Sequence, residues 1–385
     1  MQYVDVAGIG SGISRFGLGC MRFPKDESEA IEMVRYAIDH GVNYLDTAYV
    51  YKDSEAILCK ALQGGYRERI KLASKAPMWN IEEHDDFETY LDIQLKRLNT
   101  DYLDVYLLHN LYGHNLEKVK RYEGFAFLED MQKKGKIGAK GFSMHNTLDA
   151  FKETIDAHEW DMAQIQLNIL DVETQAGLEG LIYGAAKGVA MVVMEPLRGG
   201  GLVSSMPPAV TRLLEAYPEK RSIVEWAFRW LYDKPEASII LSGTSSLEQL
   251  KDNLRIFDDA RAGCMNAADQ DLIVQLRKAY EAQHVIDCTE CDYCMPCSQG
   301  VAIPDILKLY NNLKLLNDPF GEKLVYTDSL YNRSHGADKC IECGECEDVC
   351  PQDLKIIEAL KTAHEALIMP QRVLTSFASD RDRSG

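Results

Sequence analysis

Apolar and polar residues follow a repeating order along most of this chain: a short apolar run that ends in a polar turn, then a longer amphipathic stretch. The stretch 27–40 carries Ile31, Val34, Ala37 and Ile38 on one face, a spacing that predicts a helix. Similar helical stretches are SEAILCKAL, DFETYLDIQLKRLN and FAFLEDMQKKG. The connections from strand to helix are expected to be short, except after His109, where NLYGHNLEKV is long enough to shape a substrate pocket.

Eight short runs read as strands, and each is followed by a helical or mixed segment. In chain order they are GLGCMRFP (17–24), NYLD, IKLASK, LDVYLLH, IGAKGFSM, AQIQLN, VAMVVM and ASIILS. Eight alternating units predict an α/β fold, a (β/α)8 TIM barrel rather than an open sheet. No G-x-G-x-x-G stands between a strand and a helix, which argues against a Rossmann domain.

Composition limits the class of protein. The 385 residues suit two domains, and the 46% of hydrophobic residues is enough for a sizeable core. The net charge of -18 argues against nucleic acid or an anionic membrane surface as a partner, since both would repel the chain. No apolar run approaches the ~20 residues of a membrane span, and MQYVDVAGIG does not resemble a signal segment. We therefore expect a soluble, cytoplasmic protein.

Polar residues with acid–base chemistry stand where the strand-like runs end. GVNYLDTAYVY sets Asp46 and Tyr51 five apart, LASK ends in Lys75, and LDVYLLHN carries His109. A phenol donates a proton readily at neutral pH only if a nearby cation stabilises the phenolate that it leaves. The carboxyl ends of the strands of a parallel barrel emerge on one face, so these four side chains are expected to meet there.

The pattern GxNYxDTAxxY, with the later lysine and histidine, resembles the tetrad of the aldo-keto reductase family over roughly residues 10 to 260. The resemblance implies a catalytic set in which Tyr51 is the general acid, Lys75 lowers its pKa, Asp46 holds Lys75 charged, and His109 positions a carbonyl group. It implies an oxidoreductase that reduces a small carbonyl compound, or oxidises the alcohol, with hydride from NADP or NAD.

The resemblance also implies which residues bind the nicotinamide cofactor. GFSMHN and AQIQLN offer residues for the carboxamide, and LSGTSSLEQLKDN resembles the phosphate and adenine segment, where free backbone donors at a helix start favour an anion. Two departures are Met194, where many members stack a tyrosine, and the missing basic pair at the 2'-phosphate site, which leaves NADP and NAD both open. The expected cofactor-binding residues are Ser143, Gln164, Met194, Gly243, Thr244, Ser245, Gln249 and Asn253.

Cysteines are concentrated in two clusters near the carboxyl end, which is typical of metal ligands rather than of disulfides. Three cysteines are scattered instead: Cys59 and Cys264 are expected to be inert thiols, and Cys20, at the end of the first barrel strand, is expected to line the active-site mouth without reacting there. The first cluster has two residues between successive cysteines, and the second follows the pattern C-x2-C-x2-C-x3-C-P. The expected metal ligands are Cys288, Cys291, Cys294, Cys297, Cys340, Cys343, Cys346 and Cys350.

This spacing resembles that of the two-cluster bacterial ferredoxins, in which the fourth cysteine of each motif reaches the other [4Fe-4S] cluster. The pairing implied by the resemblance joins Cys288, Cys291 and Cys294 with Cys350, and Cys340, Cys343 and Cys346 with Cys297. Ser298 replaces the proline after the first motif. Structural zinc is the alternative.

The expected organisation is a barrel at 1–265, a linker helix at 266–283, a mainly helical ferredoxin-like 4Fe-4S dicluster domain at 284–371 and a polar tail at 372–385. A nicotinamide gives two electrons as hydride and a cluster takes one, so coupling usually needs a flavin. No flavin motif is recognisable, although the pocket around Met194 leaves room for an unusual cofactor. Two functions stay open. One is a carbonyl reductase whose clusters exchange electrons with a protein partner or with a flavin. The other is a non-catalytic or flavin-dependent electron-relay or redox-sensing protein whose tetrad is a relic.

Several strand-end residues are expected to line the substrate pocket. Arg22 together with Arg198 is a weak indication of an anionic substrate, and the substrate itself cannot be read from the sequence. The expected pocket residues are Met21, Arg22, Trp79, Tyr112 and Glu195.

Overall fold

Eight parallel strands close into a barrel in a computed structural model that describes residues 1–51, 53–111, 115–204, 206–282, 286–315 and 319–369. This confirms the predicted α/β barrel. A two-stranded antiparallel hairpin precedes it. The strands are β1 (Tyr3–Val6), β2 (Gly10–Ser14), β3 (Phe16–Gly19), β4 (Tyr44–Asp46), β5 (Lys71–Ala76), β6 (Leu103–Leu108), β7 (Ile137–Met144), β8 (Met162–Gln166), β9 (Ala190–Met194) and β10 (Ala237–Ser242).

The barrel follows chain order from β3 to β10, and β10 returns to pair with β3 through Ile240 opposite Phe16. All eight runs that were predicted as strands belong to it. The barrel interior is filled by side chains such as Tyr44, Val105, Leu107 and Val192, which are fully buried. The barrel is therefore a packed core, with room for chemistry only at its ends.

Helices follow the barrel strands and continue beyond the barrel. They are α1 (Glu27–Asp39), α2 (Ser54–Ala61), α3 (His84–Leu98), α4 (Asn115–Arg121), α5 (Gly124–Lys133), α6 (Leu148–Ala157), α7 (Gly177–Ala186), α8 (Gly201–Ser204), α9 (Pro208–Ala216), α10 (Ile223–Tyr232), α11 (Leu247–Phe257), α12 (Ala267–Glu281), α13 (Ile303–Leu315), α14 (Pro319–Val325), α15 (Glu345–Asp348) and α16 (Ile356–Leu367). Short 3-10 turns occur at Arg67–Arg69, Met78–Asn80, Arg198–Gly200, Tyr331–Arg333 and Ala337–Lys339, and a π-helical turn at Tyr326–Leu330.

The helix predicted at 27–40 is confirmed as α1. Asp26 caps its first turn, because the carboxylate accepts the backbone N–H of Glu29 at 2.9 Å. Its buried face includes Met33, Val34 and Ala37, which follows the helical spacing of the sequence.

The hairpin β1–β2 was not expected. Val4 pairs with Ile13 across it, and Val6, Ile9 and Ile13 join the same buried cluster as the barrel interior. The hairpin is thus part of the barrel's core, although glycines at 8, 10 and 12 make the segment read as a loop.

The connection after β9 is the second departure from expectation. It runs from Glu195 to Ser222 and contains α8 and α9, so the expectation of short connections everywhere except after His109 is wrong here. The long connection after His109 contains α4.

The chain divides into two compact units. One comprises Met1–Leu197 with Arg221–Ile273, and the other comprises Arg198–Lys220 with the described residues from Val274 onward. The second unit has its own core, in which α13 packs on α16 through residues such as Ile306, Leu307, Leu360 and Ala363. The domain boundaries given above stay predictions, and the tail at 372–385 lies outside the described residues. Among the helices that the structure describes, none has the length and apolar character needed to cross a membrane.

Candidate functional site

The predicted tetrad meets at the carboxyl ends of three neighbouring strands. Asp46 is the last residue of β4, Lys75 lies near the end of β5, and His109 directly follows β6. Tyr51 stands in the turn between β4 and α2, where its backbone N–H bonds Ala48 at 3.1 Å. The four side chains that are far apart in the sequence are therefore brought together by the register of the barrel.

A buried ion pair lies at the bottom of this site. The Lys75 ammonium donates to Asp46 Oδ1 at 2.5 Å and to the carbonyl oxygen of Thr47 at 2.8 Å. The Lys75 side chain is 0% exposed and that of Asp46 is 4% exposed. Burial lowers the pKa of Lys75 and raises the pKa of Asp46, and the contact between them opposes both changes. Each charge depends on the other because neither reaches water.

Tyr51 lies directly over this pair. The Lys75 Nζ is 5.0 Å from the centroid of the Tyr51 ring, and the ring meets the His109 imidazole edge-on at 5.8 Å between centroids. Tyr51 keeps part of its surface exposed.

The phenol is held in its protonated form. Burial raises the pKa of Tyr51 well above its ordinary value, and the carboxylates of Asp46 and Glu195 raise it further, while Arg22 opposes them. Lys75 is placed to stabilise a phenolate, but burial first, and the nearby carboxylates second, keep the resting phenol protonated. Glu195 itself has a left-handed backbone with φ of 53°, a conformation that is uncommon for a residue with a side chain and that often marks functional sites.

Two neighbouring histidines are neutral. Burial lowers the pKa of His109 well below its ordinary value, and Lys75 and His145 add to this. His145 follows β7, and burial lowers its pKa to about 4. Its Nδ1 lies 3.1 Å from the amide oxygen of Gln175, so this nitrogen donates. His145 stands in the motif GFSMHN but was not singled out from the sequence.

The residues predicted to hold the nicotinamide carboxamide lie side by side. Ser143 pairs with Gln164 across β7 and β8, and the Ser143 hydroxyl accepts the backbone N–H of Asn110 at 2.9 Å. Gln164 donates to the Met194 sulfur at 3.8 Å. The Gln164 amide also lowers the pKa of the Asp46 carboxyl, so the two side chains face each other, although Asp46 Oδ2 makes no hydrogen bond within the described structure.

One buried hydrogen-bond acceptor in this group has no donor within the described structure. Gln164 Oε1 is buried and has no hydrogen-bond partner among the described residues, a condition that costs free energy unless a ligand supplies a donor. The amide N–H of a nicotinamide carboxamide is such a donor. The residues present therefore fit the nicotinamide that the resemblance implies.

The predicted phosphate and adenine residues are divided between surface and interior. Gly243 and Ser245 follow β10, and Ser246 caps α11 by accepting the backbone N–H of Gln249. Gln249 is exposed and accepts from the Ser245 backbone at 3.0 Å. In contrast, Thr244 is buried, and Asn253 is buried with its amide on the hydroxyl of Ser242 at 3.1 Å.

The predicted pocket residues have different positions. Trp79 is exposed and lies 5.2 Å from the His109 ring between centroids, and Met21 is also exposed. The charge of Arg22 lowers the pKa of Tyr51. Arg198 belongs to the second unit, where it forms an ion pair of 2.9 Å with Asp287. Tyr112 lies outside the described residues.

A buried polar network stands behind Lys75, and the sequence did not reveal it. Glu55 accepts from the hydroxyl of Ser74 at 3.0 Å and from the amide of Gln94 at 2.8 Å. Gln94 also donates to the carbonyl oxygen of Lys75 and accepts from the Tyr106 hydroxyl. Glu55 raises the pKa of Lys75. The network therefore fixes the strand segment that carries the lysine and adds a second carboxylate to its surroundings.

The eight clustered cysteines line two cavities in the second unit. None of the eight forms a disulfide within the described ranges. Cys288, Cys291, Cys294 and Cys350 line one cavity, and Cys297, Cys340, Cys343 and Cys346 line the other, where Cys294 also takes part. Each set contains three cysteines of one motif and the last cysteine of the other, as the resemblance to ferredoxins implies.

The chemistry of these cavities fits iron–sulfur clusters. Burial, with a smaller effect of the neighbouring thiolates, raises the pKa of Cys294 to about 12 and those of Cys288 and Cys346 to about 11. Four such thiolates in one cavity repel one another and need a cationic core between them. No three His, Cys, Asp or Glu side chains of the described ranges are close enough to hold a single metal ion.

Comparison with known proteins gives two family matches. Residues 9–262 match the model of the aldo/keto reductase family, and residues 287–354 match the 4Fe-4S dicluster domain. The second match supports iron–sulfur clusters in the part of the chain that carries the clustered cysteines.

Known proteins match roughly two thirds of this chain. The chain is 28% identical to the glyoxal reductase of Bacillus subtilis over 275 residues, covering 68% of this chain and 88% of that protein. It is 28% identical to the aldo-keto reductase YhdN of Bacillus subtilis over 292 residues, covering 65% and 87%. The holo form of aldo-keto reductase AKR11C1 from Bacillus halodurans aligns with a TM-score of 0.61 at 26% identity, covering 72% of this chain and 97% of that chain. Roughly a third of this chain is unmatched in each case.

Proposed function

The chain belongs to the aldo/keto reductase family, and from that premise we propose that it reduces a small carbonyl compound with NAD(P)H, with Tyr51 as the general acid. One observation carries the proposal: the buried pair of Lys75 and Asp46 lies under the ring of Tyr51, with His109 beside it. A 4Fe-4S dicluster domain also fits an oxidoreductase, so both parts of the chain are consistent with the same class of enzyme.

The nicotinamide supplies hydride when it is bound. In this chain Ser143 and the unpartnered amide oxygen of Gln164 would hold its carboxamide. Gly243 and Ser245, before the capped start of α11, would meet its phosphates. Thr244 and Asn253 are both buried. They would support the phosphate-binding segment by packing inside it.

Tyr51 would give its hydroxyl proton to the carbonyl oxygen as the carbonyl carbon gains hydride, so that the product is a neutral alcohol. The phenolate left behind faces the Lys75 ammonium, whose charge is held by Asp46 and supported by Glu55. Neutral His109 would donate an N–H hydrogen bond to the same oxygen and orient it. Water then restores the proton on Tyr51.

The experiment uses the full chain, purified without oxygen. Oxidation of NADPH or NADH at 340 nm is followed with a panel of small aldehydes, ketones and dicarbonyls that includes glyoxal, which the similar Bacillus enzyme is named for. Tyr51→Phe removes the hydroxyl, and the expected loss in kcat is about 10² to 10⁴-fold. Tyr49→Phe is the matched control, because Tyr49 packs on Tyr90 and Arg97 instead, and its activity should stay within about twofold of the parent. Equal activities of the two variants would overturn the role of Tyr51.

Electron exchange with the clusters is a separate part of the proposal. Iron and sulfide analysis, cofactor extraction and the cluster absorbance after addition of NADPH or NADH test it on the same preparation. Bleaching of the clusters would show that nicotinamide reduces them, and a flavin in the extract would supply the step from two electrons to one. Clusters that stay oxidised while carbonyl compounds are reduced would show that the barrel works alone. Bleaching without reduction of any carbonyl compound would favour the electron-relay alternative.

A further inference from the structure

The two cysteine-lined cavities differ in their access to the surface. The cavity formed by Cys288, Cys291, Cys294 and Cys350, here the inner site, has Cys350 buried and its other cysteines half-buried. The cavity formed by Cys297, Cys340, Cys343 and Cys346, here the outer site, contains Cys343, which is exposed. A cluster in the outer site would therefore lie at the surface on the side of Cys343.

Apolar side chains surround this exposed cysteine. Ile341 is 61% exposed, Val349 is 45% exposed and Met295 is 36% exposed. All three also line the outer site, so part of their exposed surface faces the space that a cluster would fill. Large apolar side chains grouped on a protein surface indicate a contact with another molecule, and here they are grouped around a redox centre.

The same face carries negative charge. Glu345 and Asp348 are exposed between Cys343 and Val349, and no ion pair involves either of them in the part of the chain that the structure describes. Glu342 is also exposed but pairs with Lys361 at 2.8 Å. The four thiolates of the outer site outweigh the charge of an iron–sulfur core, so a bound cluster adds to the negative charge of the face.

We propose that this face is the docking surface for a small electron-transfer protein with basic residues around its own redox centre. The apolar contact would exclude water between the two centres, and Glu345 and Asp348 would orient the partner. One electron would pass from a reduced cluster in the outer site to the oxidised partner, with no bond formed or broken. The proposal rests on the electron exchange proposed above but not on the reaction of the barrel.

The test uses cytochrome c as the probe, since it is a small, basic, one-electron acceptor. The full chain is reduced with dithionite, freed of excess reductant without oxygen, and mixed with oxidised cytochrome c at several ionic strengths. The rate constant for its reduction should fall by about tenfold or more as salt is raised, as expected for association between opposite charges. Because dithionite supplies the electrons, the result is independent of any carbonyl reductase activity.

Two double charge-reversal variants distinguish the effect of charge on this face from the effect of the net charge of the whole chain. Glu345→Lys with Asp348→Lys should lower the low-salt rate constant about tenfold. Glu29→Lys with Glu32→Lys changes the net charge equally on the exposed side of the barrel helix α1, and should leave the rate constant within about twofold. Equal losses for both pairs, or no loss for the first, would overturn the proposal. The iron content of each variant shows that its clusters are intact.

Binding is measured separately with both proteins oxidised, so that a change in cluster potential does not enter. Ile341→Ser should raise the Kd for cytochrome c at least threefold while the iron content is unchanged, because the side chain is largely exposed. An unchanged Kd would contradict the apolar contact. Sedimentation of the chain alone gives a further decisive outcome: a dimer that dissociates in Ile341→Ser would show that a second copy occupies the face, and the proposal would be wrong.

Discussion

Replacing His145 by glutamine should remove much of the pH dependence of barrel stability below neutral pH. His145 is 4% exposed, and burial lowers its pKa to about 4 from an ordinary value of 6.5. The unfolded chain therefore binds more protons than the folded chain between these two values. Stability must rise with pH across this window and be lost as pH falls through it. Glutamine keeps a donor for the amide oxygen of Gln175 but cannot titrate.

The size of the effect follows from the two pKa values. One pH unit corresponds to about 1.4 kcal/mol, so the full contribution, reached below pH 4, is about 3 kcal/mol. At pH 5 the unfolded histidine is almost fully protonated and the folded one almost fully neutral, which gives about 2 kcal/mol. At pH 7.5 the contribution is close to zero. His109, whose pKa is also lowered, adds in the same direction in both proteins. His145 supplies only the smallest part of that lowering, so the His109 contribution cancels in the comparison wherever folded His109 stays neutral in both proteins.

The assay is denaturant unfolding from pH 7.5 to 5.0, followed by tryptophan fluorescence. The four tryptophans, at 79, 160, 226 and 230, all belong to the barrel unit, so the signal reports on the barrel rather than on the cluster domain. The parent should lose about 2 kcal/mol more than His145→Gln between these pH values. His84→Gln, which replaces an exposed histidine, should follow the parent. Parallel curves for the parent and His145→Gln would refute a buried, neutral His145.

Three further outcomes follow from contacts in the two units. Asp46→Asn should destabilise the barrel by about 3 kcal/mol or more, measured by the same fluorescence, because it leaves the buried Lys75 ammonium without its anion; an unchanged midpoint would contradict the ion pair. Gly17→Ala should cost about 1–3 kcal/mol, because a Cβ there would lie 2.6 Å from a Leu241 methyl group; a more stable variant would show that the barrel interior has room. Cys350→Ala should lower the iron content by about half, since the cysteine lines one cavity only; full iron content would exclude it as a ligand.

Much of the barrel could be predicted because each strand has a recognisable local pattern in the sequence. Each run is apolar, ends in a polar residue and is followed by a helical stretch, so the eight strands and the face where Asp46, Lys75 and His109 meet were predicted without the structure. The hairpin was not recognised, because glycines hide the apolar residues Val6 and Ile13, which are buried only after the barrel has formed. The pieces of helix after β9 are short, and the pair Pro207 and Pro208 interrupts the pattern.

The missed parts of the site depend on burial, which a single sequence does not display. Glu55 reads as an acidic residue in the first turn of a helix, a position normally exposed to solvent, yet it is buried against Gln94. His145 could have been found from its place at a strand end beside that of His109, but its partner Gln175 stands thirty residues further along the chain. Polar groups that are buried together are specified by the assembled fold rather than by local patterns.

In the reaction proposed above, burial and the charges around Tyr51 favour carbonyl reduction over alcohol oxidation at neutral pH. Because burial, Asp46 and Glu195 hold the pKa of the phenol well above its ordinary value, the protonated form that reduction requires is fully populated near pH 7. Oxidation of an alcohol requires the phenolate as base, and its population rises about tenfold per pH unit below the pKa. We therefore expect kcat for reduction to be flat between about pH 6 and 8 and kcat for oxidation to rise steeply over the same range. Glu195→Gln removes one charge that opposes the phenolate, so it should lower the pKa of Tyr51 and increase oxidation relative to reduction at a given pH. A decrease in that ratio would show that Glu195 acts on the reaction by some means other than its charge on Tyr51.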